Sequence, residues 1–280
     1  MIKKFIKAIG PILLSALLLL AVFLILQPLM LKINPTYSLL SSRGLGKVVF
    51  ITLVIVTILG FIFTQSKSFI KNFLQTNLYF FKDKKFIKLF FKYFLIFFVL
   101  HAFLLFIFYF SGYAIFNNNW GQFNFNLIFK ILFGFIVVFM LAWTEELIFR
   151  GTLFPYFEQH FSTFTSLILT SVIFMFVHDL KNPLNLITTN WQLGLGLFLL
   201  GMLLNLIFIK TRKLYTNMGA HAGLVFVKVI LRRAPLLIFL DQQNLPFWVN
   251  KDLRMSALIH ILFLILIIYL IIKNKQCSRL

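Results

Sequence analysis

The sequence predicts an all-α polytopic membrane protein, a helical bundle of about eight transmembrane helices, and three observations carry that expectation. Of the 280 residues 61% are hydrophobic and only 12% charged, with 39 phenylalanines, a balance far from that of soluble globular domains. The apolar residues are gathered into runs of roughly 20, the length that crosses a hydrocarbon core about 30 Å thick. The 27 Lys and Arg, against 7 Asp and Glu, sit between these runs. The +20 net charge therefore meets anionic lipid headgroups, and no nucleic-acid partner is expected.

Taken in order, the chain starts with Lys3, Lys4 and Lys7 and an apolar run over 12–30. That run is longer than the roughly 7–15 residues of a signal-peptide core, so a retained first helix is expected. A second span covers 48–64. Over 67–92 lysines alternate with Phe and Leu, as in an amphipathic segment at the interface. Further spans are expected at 93–116, 127–149, 165–178, 193–209, 217–230 and 256–272, with a semi-apolar loop over 234–254. This divides the chain into N-terminal helices (1–126), a core carrying the polar motifs (127–230) and a C-terminal loop, last helix and tail (231–280). With the N-terminus inside, most of the basic residues fall on inner segments, so both termini are expected in the cytoplasm and the protein in the cell (inner) membrane. The single cysteine, Cys277, excludes an intrachain disulfide and a cysteine-built metal site.

Thr144-Glu145-Glu146-Leu147-Ile148-Phe149-Arg150-Gly151 puts two carboxylates and a guanidinium on an otherwise apolar helix. A charge near the bilayer centre costs at least about 2.5–3.5 kcal/mol on insertion scales, so such groups face the bundle interior, pair, and mark sites. Glu146 and Arg150 are four residues apart on one face and in the favoured order, whereas Glu145 points elsewhere. Glu146 and Arg150 are expected to support the site as a clamp, leaving Glu145 for chemistry. Two later spans carry histidines. Phe174 and His178 share a helix face, and in Asn217-Met218-Gly219-Ala220-His221-Ala222-Gly223 small residues around His221 let a neighbouring helix approach. Asn205 is expected to bond between helices, while His101 and His260 are expected to be structural and without partners.

These pieces resemble the CaaX-protease and bacteriocin-processing (CPBP, Abi) family of intramembrane endopeptidases. Glu145, Glu146 and Arg150 match its Glu-Glu-x-x-x-Arg motif, Phe174 and His178 its Phe-x-x-x-His motif, and His221 the start of its His-x-x-x-Asn motif. Val225 stands where many members have an asparagine thought to stabilise the oxyanion. The resemblance implies that Glu145 activates a water for attack on a peptide carbonyl, with His178 and His221 holding the water or the oxyanion. Metal-free catalysis is expected; the alternative is zinc held by Glu145, His178 and His221. The expected partners are membrane lipids and a membrane-associated peptide or protein substrate, reached from the cytoplasmic half of the bilayer. The competing expectation, motivated by Val225, is a non-catalytic scaffold or bacteriocin self-immunity protein that uses the same cluster for binding.

Overall fold

The computed structural model describes residues 82–117, 125–179, 182–233, 236–240 and 245–273, together with the single positions 24, 28, 32, 67, 70 and 71. The chain separates into two compact units, Met1–Gln75 and Thr76–Leu280, and the second holds the elements below. The spans expected at 12–30 and 48–64 lie, but for Leu24 and Pro28, outside the described residues.

Seven helices and one strand pair make up the second unit as described: α1 (Phe86–Phe110), β1 (Ala114–Phe116), α2 (Phe125–Ile148), α3 (Phe154–Glu158), α4 (Thr163–Phe176), α5 (Trp191–Thr211), α6 (Leu214–Arg233), β2 (Leu237–Phe239) and α7 (Ala257–Lys273). A π-helical turn, Phe149–Leu153, joins α2 to α3 without a break. Among the described residues four helices are long and apolar enough to cross a membrane: Phe86–Phe110, Leu127–Glu158, Trp191–Thr211 and Leu214–Leu231. Thr163–Asp179 and Ala257–Lys273 are apolar but shorter. The protein is a multi-pass, mostly helical membrane protein, and four of the eight expected spans meet that length criterion.

Three boundaries differ from expectation, each for a local reason. Residues 86–92 of the lysine-rich stretch form the first two turns of α1; Lys88 and Lys92 are exposed there, where long side chains can reach for headgroups while the backbone continues as helix. The helix expected to run to 116 stops at Phe110, because Gly112 takes a left-handed φ of 77°. Its last residues become β1 and pair antiparallel with β2 from the semi-apolar loop, Ile115 opposite Ile238. The helix expected from 127 to 149 continues to Glu158.

Packing follows two sets of neighbours. α6 packs against α1 and α2, α5 packs against α4 and α7, and α5 and α6 also touch. Phe90, Phe94, Val138, Met218 and Ala222 form the core of the first set; Phe174, Leu200, Leu203, Leu204 and Phe263 belong to that of the second. The close approach of α1 to α6 depends on Gly219 and Gly223, where an added Cβ would fall on the carbonyl oxygens of Phe90 and Phe94. Outward faces of α2 and α7 carry Phe129, Leu132, Ile136, Ile265 and Ile268 exposed, as lipid contact requires.

One end of the bundle is tied by ion pairs. Arg212, which ends α5 in a left-handed conformation (φ 49°), grips Glu158 through both terminal nitrogens at 2.6 and 3.0 Å. Asp83 accepts from the Lys85 amide (2.9 Å), Lys213 Nζ (2.9 Å) and the Tyr215 hydroxyl (2.9 Å), tying the approach to α1 to the start of α6. Those three donors, the amide first, hold its carboxyl down at about 2. A depressed carboxylate contributes stability above its unfolded-state pKa and loses it as pH falls through the folded one. Parent and Asp83→Asn proteins in detergent should therefore differ in thermal midpoint at pH 6, and the gap should close between about pH 4 and 2; a pH-independent gap would contradict this role. Gly223→Ala should cost about 1–3 kcal/mol of stability through overpacking and so lower the midpoint, and an unchanged midpoint would mean that α1 and α6 are not in this contact.

Candidate active site

The site is built where α2 gives way to α3. Pro155 has no N–H with which to close an α-turn on Gly151, and its ring crowds that carbonyl. The helix opens into the π turn here, and the Thr152 hydroxyl donates to the Leu147 carbonyl five residues back at 3.0 Å. Within this turn Arg150 is fully buried. Its Nη1 donates to Glu146 Oε1 at 3.1 Å, its Nε to Asn205 Oδ1 at 2.9 Å and its Nη2 to the Gly201 carbonyl at 2.9 Å. The Phe174 ring lies 5.0 Å from the guanidinium carbon. Asn205 is itself fixed by donating to the Leu167 carbonyl and the Ser171 hydroxyl, both at 3.1 Å.

Glu146, also fully buried, uses its remaining capacity on α6. His221 Nδ1 lies 2.8 Å from Oε1, and Asn217 Nδ2 donates to Oε2 at 3.3 Å while also bonding the Leu204 carbonyl at 2.6 Å. A carboxylate can only accept, so His221 carries its proton on Nδ1. His178 is set the same way, since its Nδ1 lies 2.7 Å from the Phe174 carbonyl. Both imidazoles therefore turn Nε2 inward.

Glu145 meets them there. Its Oε2 stands 3.8 Å from His178 Nε2 and 3.7 Å from His221 Nε2, and this buried oxygen has no hydrogen-bond partner among the described residues. Separations beyond 3.5 Å between such groups are too long for direct bonds and suit an oxygen held between them. With neutral rings the cluster sets two carboxylates against one guanidinium.

Glu145, His178 and His221 line a cavity of about 230 Å³ whose walls include Leu197, Leu200 and Phe263. Two turns further along α6, about 10 Å, it meets Lys228, whose Nζ lies 2.7 Å from Asp252, while Arg254 grips the same carboxylate at 2.7 Å. Burial alone would raise the Asp252 carboxyl, but these two cations outweigh it and hold it below the usual carboxylate range. With both termini cytoplasmic, Lys228, Lys251 and Arg254 fall on outer segments of the chain. If both termini are cytoplasmic, the cavity extends toward the outer face, opposite to the entry expected from the cytoplasmic half.

All five expected residues come together: Glu145, His178 and His221 around the cavity, Glu146 and Arg150 beneath. Asn205 bonds between helices. The expectation that His101 and His260 lack partners does not hold. His260 Nε2 lies 2.9 Å from the Arg254 carbonyl, and His101 Nδ1 lies 2.8 Å from the Leu224 carbonyl while the ring lines the cavity. Asn217 was legible only as the residue one turn before His221; the carboxylate it supports is 71 positions away. Among the described residues no group of three His, Cys, Asp or Glu is placed to hold a metal ion.

The fold and the site are those of a helical membrane protein with paired carboxylates and two inward-turned histidines over an apolar cavity. Residues 126–227, from α2 into α6, match the family model described as Rce1-like, Type II CAAX prenyl endopeptidase Rce1-like. This segment holds the first two motifs and the histidine of the third, and in it the chain is similar to the CAAX protease family. No curated protein and no solved structure matches the chain.

Removing one partner of a buried ion pair leaves the other uncompensated, at about 3–5 kcal/mol. Arg150→Ala should therefore depress the thermal midpoint and yield of the solubilised protein strongly, and Asn205→Ala should do so less. Glu145→Ala should stay near the parent, since Oε2 gives up no hydrogen bond. Equal losses for Glu145→Ala and Arg150→Ala would reverse the roles given to the two carboxylates.

Proposed function

We propose that the protein is an intramembrane endopeptidase that hydrolyses a peptide bond of a membrane-associated peptide or protein, with Glu145 as general base. The observation that supports it best is the unpartnered Glu145 Oε2 between two Nε2 atoms at 3.7 and 3.8 Å, at the wall of an apolar cavity. In this reading a water is held among the three groups. Glu145 takes its proton as the water oxygen bonds to the substrate carbonyl carbon and the carbonyl electron pair moves onto its oxygen. The neutral rings of His178 and His221 accept from the water through Nε2, and a ring protonated on Nε2 is the form that donates to the oxyanion. Collapse breaks the C–N bond, and the proton on Glu145 passes to the departing amine. Glu146 keeps His221 in the required tautomer, as a second carboxylate behind a catalytic imidazole does. No step in this reading uses a metal.

The family description names a prenyl endopeptidase. The substrate class supported by the cavity is broader, an apolar peptide anchored in the membrane, because Leu197, Leu200, Ile259 and Phe263 wall the space next to Glu145. Glu145→Gln should lower kcat by about 10²–10⁴-fold with the thermal midpoint unchanged, measured on internally quenched, acyl-anchored peptides in detergent or vesicles. A parental rate in that variant would overturn the proposal.

Val225, which lines the cavity, favours a second reading, a binding or self-immunity protein that does not cleave. Loss of an oxyanion donor costs about 10²–10³ in kcat in a known case, so Val225→Asn should raise cleavage at least tenfold if the protein is a protease. Cellular protection that persists in the Glu145→Ala, His221→Ala double variant would establish the binder.

A further inference from the structure

His101 lies on α1, outside the matched family segment and away from every motif read from the sequence, yet it lines the same cavity as Glu145. The residue is only 6% exposed. Nδ1 lies 2.8 Å from the Leu224 carbonyl, which can only accept, so the ring proton sits on Nδ1 and Nε2 is left as an acceptor. That Nε2 is buried and has no hydrogen-bond partner among the described residues. A buried acceptor without a partner carries the full cost of its lost hydration unless something that enters the cavity supplies a donor. Leu224, which fixes the ring, is followed by Val225 and lies one turn before Lys228, and all three line the cavity. His101 thus stands on the stretch of wall between the Glu145 cluster and the charged residues around Asp252.

Resting on the endopeptidase reading, we propose that His101 is a substrate-positioning residue whose Nε2 accepts a hydrogen bond from one backbone N–H of the bound peptide. The donor class follows from the wall itself. An extended peptide offers N–H groups at fixed spacing along a cavity that otherwise presents Leu197, Leu200 and Phe263, and an amide donor entering such a wall needs an acceptor as much as His101 needs a donor. The role differs from that of His178 and His221, because His101 has no contact with either carboxylate of the cluster among the ion pairs and hydrogen bonds described.

His101→Asn keeps a side-chain N–H near the Nδ1 position for the Leu224 carbonyl and removes the acceptor at Nε2, whereas His101→Gln returns an oxygen acceptor near Nε2. With an internally quenched, acyl-anchored heptapeptide that the parent cleaves, His101→Asn should raise KM five- to twentyfold and leave kcat within twofold; His101→Gln should recover much of the loss. The specific readout is a scan of that peptide with single N-methyl amides. One position should weaken the parent about tenfold and leave His101→Asn indifferent, because the variant has no bond there to lose. If every N-methyl position affects parent and variant alike, or if KM is unchanged in His101→Asn, the assignment is wrong. Should the parent cleave none of these peptides, the endopeptidase reading fails by itself. The histidine is then judged by binding of a fluorescent form of the same peptide to the parent and to His101→Asn, and equal affinity, or binding to neither, overturns it.

Discussion

The buried pair of Arg150 and Glu146 is the interaction on which the rest of this structure depends. Two fully buried ionised groups in an apolar bundle lose most of their hydration, and their mutual attraction offsets that loss only if the remaining donors and lone pairs are also bonded. Here they are bonded by residues from other helices. Arg150 takes Asn205 and the Gly201 carbonyl from α5, and Asn205 takes Leu167 and Ser171 from α4. Glu146 takes Asn217 and His221 from α6. Four helices are thus held in one register by groups that cannot be left unpaired, in a setting where contact between apolar faces has no advantage over contact with lipid.

That arrangement also explains how two adjacent glutamates acquire different work. Successive residues on a helix point about 100° apart, so only one can reach the guanidinium four residues on. Glu146 is consumed by the network. Glu145 is turned to the cavity, where Oε2 meets two nitrogens at 3.7 and 3.8 Å and has no hydrogen-bond partner among the described residues. His221 belongs to both halves, with Nδ1 on the structural carboxylate and Nε2 facing the free one. The buried network and the cavity-facing carboxylate are therefore joined through one imidazole, and movement of α6 against α2 would disturb both.

Around this centre the bundle is fastened by different means at different places. Lys213, Tyr215 and Asp83, together with Arg212 and Glu158, tie one end. Where Lys228, Arg254 and Asp252 meet, the cavity wall is charged, and the strand pair β1–β2 packs Ala114, Phe239 and Leu237 against Phe108 and Val249 nearby. Between the ends α1 lies directly on α6 because Gly219 and Gly223 offer no side chain to hold it away. His101 comes within reach of Leu224 through that same approach.

Several features were determined by the sequence alone. Apolar runs of membrane length fixed the helical class, and charge in such runs is costly enough that Glu145, Glu146 and Arg150 identify themselves. Spacing within one helix was sufficient to pair Glu146 with Arg150 and to place Phe174 beside His178, since helical geometry makes residues four apart neighbours without any tertiary information. What depended on contacts between distant segments was not legible. His101 and Leu224 are 123 positions apart, Arg150 and Asn205 55, and no local pattern marks one for the other. The strand pairing over 114–116, beyond the Gly112 turn that ends α1, followed from a partner, Leu237–Phe239, that read as loop. The direction in which the cavity runs, toward Lys228 and Asp252, was likewise decided only when α1, α6 and the segment before α7 came together. Periodicity reports which face of a helix is apolar or charged; only the packed bundle determines what that face meets.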